Sequence, residues 1–245
     1  MPANHDPTQN HLLAAIASDE RERIFPHLQS IDLRLGEVLH EAGDTLSHVY
    51  FPTDSIVSLL YVLTGGESAE IAVAGGEGLI GVSLFMGGET TTTRAVVQSA
   101  GHAYRLSSLR VKDEFHRHGK LQDVFLRYTQ ALITQMAQTA VCNRHHTVDQ
   151  QLCRWLLLSL DRLPTNTLTM SQQLIADMLG VRREGVTEAA GNLRRLGAIR
   201  YSRGKITVLD RPQLERLCCE CYSVVKKEED RLLTYLPPRI GHATA

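Results

Sequence analysis

Long apolar runs and secretion signals are missing from this sequence of 245 residues. Residues 1–20 contain no basic segment followed by an apolar run, so no signal peptide is evident. No stretch of about 18 consecutive apolar residues occurs in the chain, which argues against a membrane-spanning helix. We therefore expect a cytoplasmic protein that has no membrane partner.

Cysteine is scarce and unevenly placed. Residues 1–141 contain none of the five cysteines, and three of them cluster at Cys218, Cys219 and Cys221. An odd number at uneven spacing does not indicate a disulfide framework. On one helix Cys218 and Cys221 would share a face, but a tetrahedral metal site needs four ligands. The other candidate ligands are distant in sequence: Cys142, Cys153, His145 and His146. The clustered cysteines are therefore interpreted as small apolar helix residues, and no metal site is predicted.

The common sequence signatures of catalysis are absent as well. The chain shows no nucleophile–base pair, no glycine loop that would cradle a phosphate and no HExxH zinc motif. Hydrophobic residues make up 43% of the sequence, which is enough for packed cores, and the length favours two domains. We expect a folded protein that is not an enzyme.

Charge is distributed unevenly although the formal net charge is only −1. Residues 1–100 carry 4 Lys and Arg against 13 Asp and Glu, whereas residues 101–245 carry 22 against 14. Residues 180–211 contain eight basic residues and only three acidic ones. The basic ones are Arg182, Arg183, Arg194, Arg195, Arg200, Arg203, Lys205 and Arg211. Such asymmetry indicates that one half of the chain faces a polyanion.

Residues 171–196 predict two short helices joined by a tight turn. Ser171 is placed to cap the first helix, and Gly180 ends it because glycine adopts left-handed backbone geometry at low cost. The second helix, 182–196, has four apolar residues at helical spacing: Val186, Ala189, Ala190 and Leu193. This pattern is typical of a DNA-reading helix-turn-helix, with an ordinary pair of packed helices as the alternative.

A β-hairpin with a basic turn follows the second helix. Residues 198–201 and 206–209 are strand-like, and 202–205 form the turn between them. A hairpin directly after a helix-turn-helix is a wing, whose tip can reach DNA phosphates. The hairpin therefore strengthens the DNA-binding interpretation.

The part of the chain before these helices has a different sequence pattern. In residues 31–106, short β-branched runs such as 56–62 and 69–73 alternate with glycine-rich turns, which indicates an all-β barrel or sandwich. A barrel of this kind can enclose one small ligand, although side chains more often fill it.

One long helix is predicted at 121–144, a segment without proline or glycine. It is apolar on two sides, so it should be packed on two sides. One stripe is Leu121, Phe125, Tyr128, Leu132, Gln135 and Thr139; the other is Leu126, Ile133, Met136 or Ala137, and Ala140. One face can lie on the barrel and the other on a partner chain, with burial of both within one chain as the alternative. A further helix is predicted at 212–235, with a frayed tail from Pro237.

This layout resembles the CRP/FNR family of bacterial transcription regulators over roughly residues 12–217. The most specific segments are LGVRREGVTEAAGNLRRLGAI and the RYSRGKITVLD that follows; VYFPTDSIVSLL and GEGLIGV resemble the β-roll of the same family. The resemblance implies an α+β fold with a cyclic-nucleotide-binding-like β-roll, a long dimerisation helix and a C-terminal winged helix-turn-helix. The corresponding segments are 1–120, 121–147 and 148–217, with a C-terminal helix and tail at 218–245. Dimer contacts are assigned to the stripe that begins at Leu121.

Through the same resemblance, Arg183 and Glu184 match the pair with which many members read base edges. Arginine can bind O6 and N7 of guanine, and glutamate can accept from the cytosine amino group. Thr187, one turn further on, can offer a hydroxyl or a methyl group. Contacts to DNA phosphates are implied for Ser171, Gln172, Gln173, Arg182, Arg203 and Lys205. Glu188 departs from the pattern because members often carry arginine there, so it either faces away from the DNA backbone or marks a different target site.

The resemblance is weakest at the ligand pocket. Members that bind cyclic AMP have a Gly-Glu turn followed by an arginine, whereas here the turn reads Gly81-Val82 and an ungapped alignment places Thr91 at the arginine position. A buried phosphate without a charged partner is poorly bound, so ordinary cyclic AMP is not expected. Any phosphate site of an effector is expected at Thr91, Thr92, Thr93 and Arg94, with a plain β-turn as the alternative. No cofactor is certain; another nucleotide, such as a cyclic dinucleotide, is the expected effector if one binds.

We therefore expect a homodimeric, sequence-specific transcription regulator that reads a pseudo-palindromic site through the helix 182–196. Its expected partners are double-stranded DNA, a second copy of the chain and RNA polymerase. The alternative is a nucleotide-sensing module that gates a partner protein instead of DNA.

Overall fold

Alternating apolar residues and glycine turns between 29 and 107 form two facing antiparallel sheets. In the computed structural model, which describes residues 6–233, one sheet has the strand order β1-β7-β3 and the other β2-β6-β4-β5. These strands are β1 (Gln29–Leu33), β2 (Val38–His40), β3 (His48–Pro52), β4 (Ile56–Val62), β5 (Ser68–Ala74), β6 (Arg94–Ser99) and β7 (Gly101–Ser107). The helices α1 (His11–Ala15), α2 (Ser18–Ile24) and α3 (Ser108–Phe115) flank this β-roll.

The remaining elements form a long helix and a smaller C-terminal domain. They are α4 (Lys120–His145), α5 (Val148–Leu160), β8 (Thr167–Thr169), α6 (Gln172–Leu179), α7 (Arg183–Arg195), β9 (Ile199–Ser202), β10 (Lys205–Val208), α8 (Arg211–Leu217) and α9 (Glu220–Leu232). The three strands of this domain pair in the order β8-β10-β9. The predicted α+β architecture is confirmed. Within residues 6–233, no helix combines the length and apolarity needed to cross a bilayer.

The long helix lies against the β-roll with the stripe that was assigned to dimer contacts. All six residues of that stripe are buried within the chain itself: Leu121, Phe125, Tyr128, Leu132, Gln135 and Thr139. The Tyr128 hydroxyl donates to the carbonyl of Leu79, and the Gln135 amide bonds both the N–H and the carbonyl of Val73. The assignment was wrong because both stripes are apolar, and only the packed fold shows which one the β-roll covers.

The opposite stripe of α4 is the exposed one. Leu126 and Ile133 are 47% and 52% exposed, and both Ala137 and Ala140 are also exposed. Leu126, Ile133 and Ala140 are seven residues apart, which is the repeat of a coiled-coil seam. This second stripe is therefore the face of α4 that the chain itself leaves open.

The C-terminal segment forms two helices where one was predicted. Helix α8 ends at Leu217 and α9 begins at Glu220, with Cys218 and Cys219 in extended conformations between them. Helix α9 then packs against α4 and α5. The predicted tail from Pro237 lies outside the described residues.

The two domains share a continuous apolar contact. Ile56, Leu60 and Val73 of the β-roll belong to the same buried cluster as Leu152 and Trp155 of α5. A polar link crosses the same boundary: Gln98 of the β-roll, which accepts a hydrogen bond from Ser58 of the neighbouring strand, donates one to Ser159 of α5. The helix-turn-helix is therefore held directly on the sheet of the β-roll.

Candidate nucleic-acid interface

The turn between α6 and α7 forms as its sequence predicts. The Ser171 hydroxyl accepts the backbone N–H of Leu174 at 3.2 Å and caps α6. Gly180 ends α6 with a φ of 64°, in the left-handed region that favours glycine. A side chain at that position would also meet the Cβ of Ala69 at 3.1 Å. The glycine thus satisfies both the turn and the close approach of β5.

Helix α7 buries one face and exposes the opposite one. Its four predicted core residues are all buried: Val186, Ala189, Ala190 and Leu193. Arg183 and Glu184 are exposed in its first turn, and Thr187 and Glu188 are exposed one turn later. The side chains predicted to read bases therefore lie on the solvent side of the second helix. Glu188 also points to solvent and forms no ion pair with a described residue.

The wing is a two-residue hairpin between β9 and β10. Arg203 and Gly204 form its tip with φ values of 50° and 74°. Positive φ at both central residues is the geometry of a type I′ turn, whose twist suits two antiparallel strands. The turn leaves the side chains of Arg203 and Lys205 exposed. Arg203 is therefore a charged residue in a left-handed backbone conformation that most non-glycine residues avoid.

A concave surface connects the wing to the two helices. The cavity has a volume of about 490 Å³ and is lined by Ser171, Gln172, Gln173, Arg183, Tyr201, Ser202, Arg203 and Gly204. The structure thus brings together three predicted phosphate contacts at the start of α6, the predicted base reader Arg183 and the wing tip. Arg182 and Lys205, which were also predicted to contact phosphate, are exposed but do not line this cavity.

Polar contacts within this surface hold two of its side chains in place. The Thr187 hydroxyl lies 2.9 Å from the amide oxygen of Gln172 and 3.0 Å from the carbonyl oxygen of Arg183, and its single proton can serve one of them at a time. Gln173 donates to Asp177 at 2.8 Å. The side-chain amides of Gln172 and Gln173 therefore already have hydrogen-bond partners within the chain.

The basic side chains of this surface are not neutralised by the chain. Among residues 6–233, none of Arg182, Arg183, Arg203 and Lys205 forms a salt bridge. Arg183 also lies near Tyr201: burial raises the pKa of that phenol, and the arginine partly opposes the shift. Unpaired cations on an exposed concave surface are available to an external anion.

A second cavity lies inside the β-roll. It has a volume of about 390 Å³, and Thr91, Thr92 and Thr93 line it together with Gly81 and Val82. Arg94, predicted as part of the same phosphate site, is absent from its lining and forms an ion pair with Glu41 at 2.7 Å. The structure therefore does not place Arg94 together with the three threonines, because residue 94 opens β6 and its side chain is held by a carboxylate that is not part of the cavity lining.

Two polar groups of this cavity were not foreseen from the sequence. His40 Nε2 and Ser83 Oγ are buried without a hydrogen-bond partner among the described residues, and both residues line the cavity. Burial lowers the pKa of His40, so its imidazole is neutral near pH 7. No local motif marks either residue. Only the closure of the β-roll places both beside the three threonines.

A cleft separates the β-roll from the turn of the helix-turn-helix. It has a volume of about 560 Å³, and Tyr61, Leu63, Ala69, Gly180 and Arg182 are among its lining residues. Tyr61 lines the β-roll cavity as well, where its hydroxyl lies 2.8 Å from that of Thr92.

A compact group of metal-binding residue types occurs at the end of the long helix. One ligand atom from each of Cys142, His146, Cys219 and Cys221 lies within 4.8 Å of all the others. No metal site is predicted from the sequence for these residues, because Cys142 and His146 are distant in the chain from Cys219 and Cys221. The four-residue spacing of Cys142 and His146 on one helix face was the signal that could have indicated them.

Comparisons with known proteins match this architecture. Residues 150–217 match the family described as the Crp-like helix-turn-helix domain. No curated protein matches the sequence.

Solved structures with the same fold cover most of the chain. FixK2 from Bradyrhizobium japonicum is 16% identical, with 78% of this chain and 98% of that chain covered at a TM-score of 0.67. The c-di-GMP responsive global regulator CLP from Xanthomonas campestris is 15% identical, with 79% and 100% covered at a TM-score of 0.65. A transcriptional regulator of the CRP family from Thermus thermophilus is 18% identical, with 76% and 95% covered at a TM-score of 0.63.

The chain therefore has the fold of the CRP/FNR transcriptional regulators, with a cyclic-nucleotide-binding-type β-roll and a Crp-like helix-turn-helix domain. The resemblance predicted from the sequence is confirmed.

Proposed function

We propose that this protein is a homodimeric transcription regulator that binds a pseudo-palindromic DNA site and responds to a small effector in its β-roll. One observation carries the proposal: Arg183 and the wing tip at Arg203 flank the same exposed concave surface, and neither pairs with a described carboxylate. Such a surface suits a phosphate backbone and an adjacent base edge.

Residues in the first turns of α7 would contact the DNA bases and so determine which sequence is bound. The N-terminal residues of a recognition helix reach base edges in the major groove. Arg183 would bind guanine through two hydrogen bonds, and Glu184 would accept from a cytosine amino group. Thr187 would contribute its methyl group while its hydroxyl stays with Gln172. Glu188 is exposed on the same helix and forms no ion pair with a described residue. Its negative charge would repel a DNA phosphate that came close to it.

Phosphate contacts would position the domain. The groups expected to contact phosphate are Ser171, Gln172, Gln173 and Arg203, which line the concave surface, and Arg182 and Lys205, which are exposed outside its lining. Each phosphate neutralised by a cation releases counterions, so affinity should fall steeply with salt.

The exposed stripe of α4 supports dimerisation. Leu126 and Ile133 would form a seam with the same residues of a second copy, because apolar residues at seven-residue spacing join helices in coiled coils. Two copies would then present two α7 helices about 34 Å apart to successive major grooves. RNA polymerase would be the further partner of a regulator bound in this way.

The β-roll cavity supports an effector other than cyclic AMP. No arginine or lysine lines it among the described residues, so a cyclic phosphate would lack its charged partner. The neutral His40, Ser83 and the three threonines instead offer hydrogen bonds to a polar ligand. CLP, a structural neighbour, is c-di-GMP responsive, and on that ground alone a cyclic dinucleotide is the first ligand to test; its two phosphates would also have to bind without an arginine or lysine of this cavity. Calorimetric titration with cyclic di-GMP and with cyclic AMP would distinguish the two.

The DNA proposal is tested by selection of bound duplexes from a random pool, followed by anisotropy titrations on the selected and a scrambled duplex. We expect binding roughly 10³-fold or more tighter on the selected duplex, with log affinity falling linearly with log salt. Absence of salt-dependent binding to any duplex would reject this function and favour the sensing module that gates a partner protein.

A further inference from the structure

Four side chains from two distant parts of the chain meet at one point beside the DNA-binding domain. Cys142 and His146 come from the C-terminal end of α4 and the residue after it, and Cys219 and Cys221 come from the start of α9. The break between α8 and α9 makes this possible, because it frees the backbone at Cys219 from helical geometry. On one continuous helix Cys219 and Cys221 would point in different directions.

Two of the separations match those of ligands around a single ion, and the remaining pairs lie within 4.8 Å. The sulfur atoms of Cys142 and Cys219 are 3.6 Å apart, and Cys221 Sγ is 3.6 Å from His146 Nδ1. With metal–sulfur bonds of about 2.3 Å and metal–nitrogen bonds of about 2.0 Å, a regular tetrahedron has edges of about 3.5–3.8 Å. A cluster of several irons would need its ligand sulfurs further apart, so the spacing favours one ion.

The surroundings of the four ligands are those of a closed site. Cys142, Cys219 and Cys221 are all buried, and the His146 side chain is 14% exposed. Its Nδ1 faces the cysteines while Nε2 lies 3.4 Å from a carboxylate oxygen of Glu220. A carboxylate on the second nitrogen orients a metal-binding imidazole and raises its basicity.

We propose that Cys142, His146, Cys219 and Cys221 bind one tetrahedral Zn²⁺ ion. Thiolates with a single imidazole are the donor set that zinc takes in structural sites, and four protein ligands leave no position open for a substrate. Binding requires loss of the thiol protons, so affinity should rise with pH.

The position of the ion gives it a structural role. Its ligands flank the DNA-binding domain in sequence, two immediately before α5 and two immediately after α8. The ion would tie both ends of that domain to the end of α4, and would fix the angle at which the domain leaves the long helix.

Metal analysis of the full-length chain purified under reducing conditions tests the proposal. We expect one zinc per chain, and after exchange, cobalt should give the intense thiolate charge-transfer bands and visible bands of a tetrahedral ion. Cys142→Ser, Cys219→Ser and His146→Ala should lose the metal. The matched neighbours Cys218→Ser and His145→Ala should retain it.

Three outcomes would overturn the proposal. One is a chain that takes up neither zinc nor cobalt when each is supplied in stoichiometric excess. Another is equal metal loss in Cys218→Ser and Cys219→Ser. The third is iron with acid-labile sulfide in place of zinc. Because the cobalt spectrum is measured on the unaltered chain, the proposal remains testable if a ligand variant fails to fold. Failure of the zinc site would leave the DNA-binding proposal untouched, since the two are measured separately.

Discussion

Arg162 and Glu77 form a buried ion pair between the two domains, with 2.6 Å between the guanidinium Nε and the carboxylate and side chains only 1% and 5% exposed. Arg162 follows α5, and Glu77 lies in the turn after β5. The same guanidinium donates to Glu229 of α9 at 2.8 Å. One arginine therefore links the β-roll, the helix-turn-helix domain and the C-terminal helix.

Removal of this arginine should destabilise the protein strongly. Arg162→Met leaves two buried carboxylates without their cation, and we expect a loss of about 3–5 kcal/mol in the free energy of unfolding. Arg231→Met is the matched control, because Arg231 pairs with Glu228 on the surface and is 64% exposed. Its effect should stay within about 0.5 kcal/mol. Similar losses in urea denaturation of both variants would contradict a special role for the buried pair.

Loss of Arg183 should relax sequence specificity. Arg183→Ala removes the proposed guanine contact, and binding to the selected duplex should weaken by about 1–3 kcal/mol per half-site, with lost discrimination at one guanine in each half-site. Arg194→Ala, at the opposite end of the same helix, is the control for simple loss of charge. An equal loss on selected and scrambled duplexes in anisotropy titrations would show that Arg183 contacts only phosphate.

A charge on the exposed stripe of α4 should break the dimer. Ile133→Glu places two carboxylates in the proposed seam, where like charges repel and lose water. Native mass spectrometry should show a monomer, and affinity for a two-half-site duplex should fall. Leu109→Glu alters a side chain that is 66% exposed on α3 and should leave the mass unchanged. A dimer that survives Ile133→Glu would place the interface elsewhere.

A substitution at the wing tip can remove a positive charge without changing the backbone conformation, which tests whether that charge contributes to DNA binding. Arg203→Asn keeps a residue that tolerates the positive φ of 50° and removes the cation. The slope of log affinity against log salt should become shallower by about 1 for each half-site, or about 2 for the dimer, with equal weakening on all sequences. Arg34→Asn, in the distant β-roll, should not alter the slope. An unchanged slope in Arg203→Asn would remove the wing from the interface.

Glu70 should make stability depend on pH. Burial raises the pKa of this carboxyl from 4.5 to about 7, although Ser58, Arg154 and Trp155 partly oppose the shift. The folded state therefore holds the proton more tightly than the unfolded state, and its advantage is lost as the pH rises from about 4.5 to 7. We expect Glu70→Gln to gain up to about 3 kcal/mol over the unaltered chain across that interval.

The pH dependence is measured as the difference in unfolding free energy between variant and unaltered chain, which cancels the other titrating groups. A difference for Glu70→Gln that stays flat between pH 4.5 and 7 would mean that this carboxyl is solvated in the folded protein.

Local signals account for the parts of the structure that the sequence predicted well. The cap at Ser171, the left-handed turn at Gly180 and the stripe of α7 depend on residues within a few positions of one another. Strand β4 was predicted at 56–62 and lies at Ile56–Val62, because its β-branched run ends in turn residues on both sides.

The features that sequence could not reveal depend on tertiary packing. Both stripes of α4 are apolar, so their pattern alone could not tell the chain's own core from an open face. The separation of α8 from α9 carries no proline or glycine signal at Cys218 and Cys219. The approach of Cys142 to Cys219 follows only once α9 has folded back on α4.

Tyr61 is a shared wall between two compartments. It borders the β-roll cavity and also the cleft beside the turn that precedes α7. Gly180, at that turn, lines the same cleft. If an effector and DNA bind as proposed, the ligand cavity and the cleft beside the reading helix would have one side chain in common, and a signal would not need to travel along the long helix.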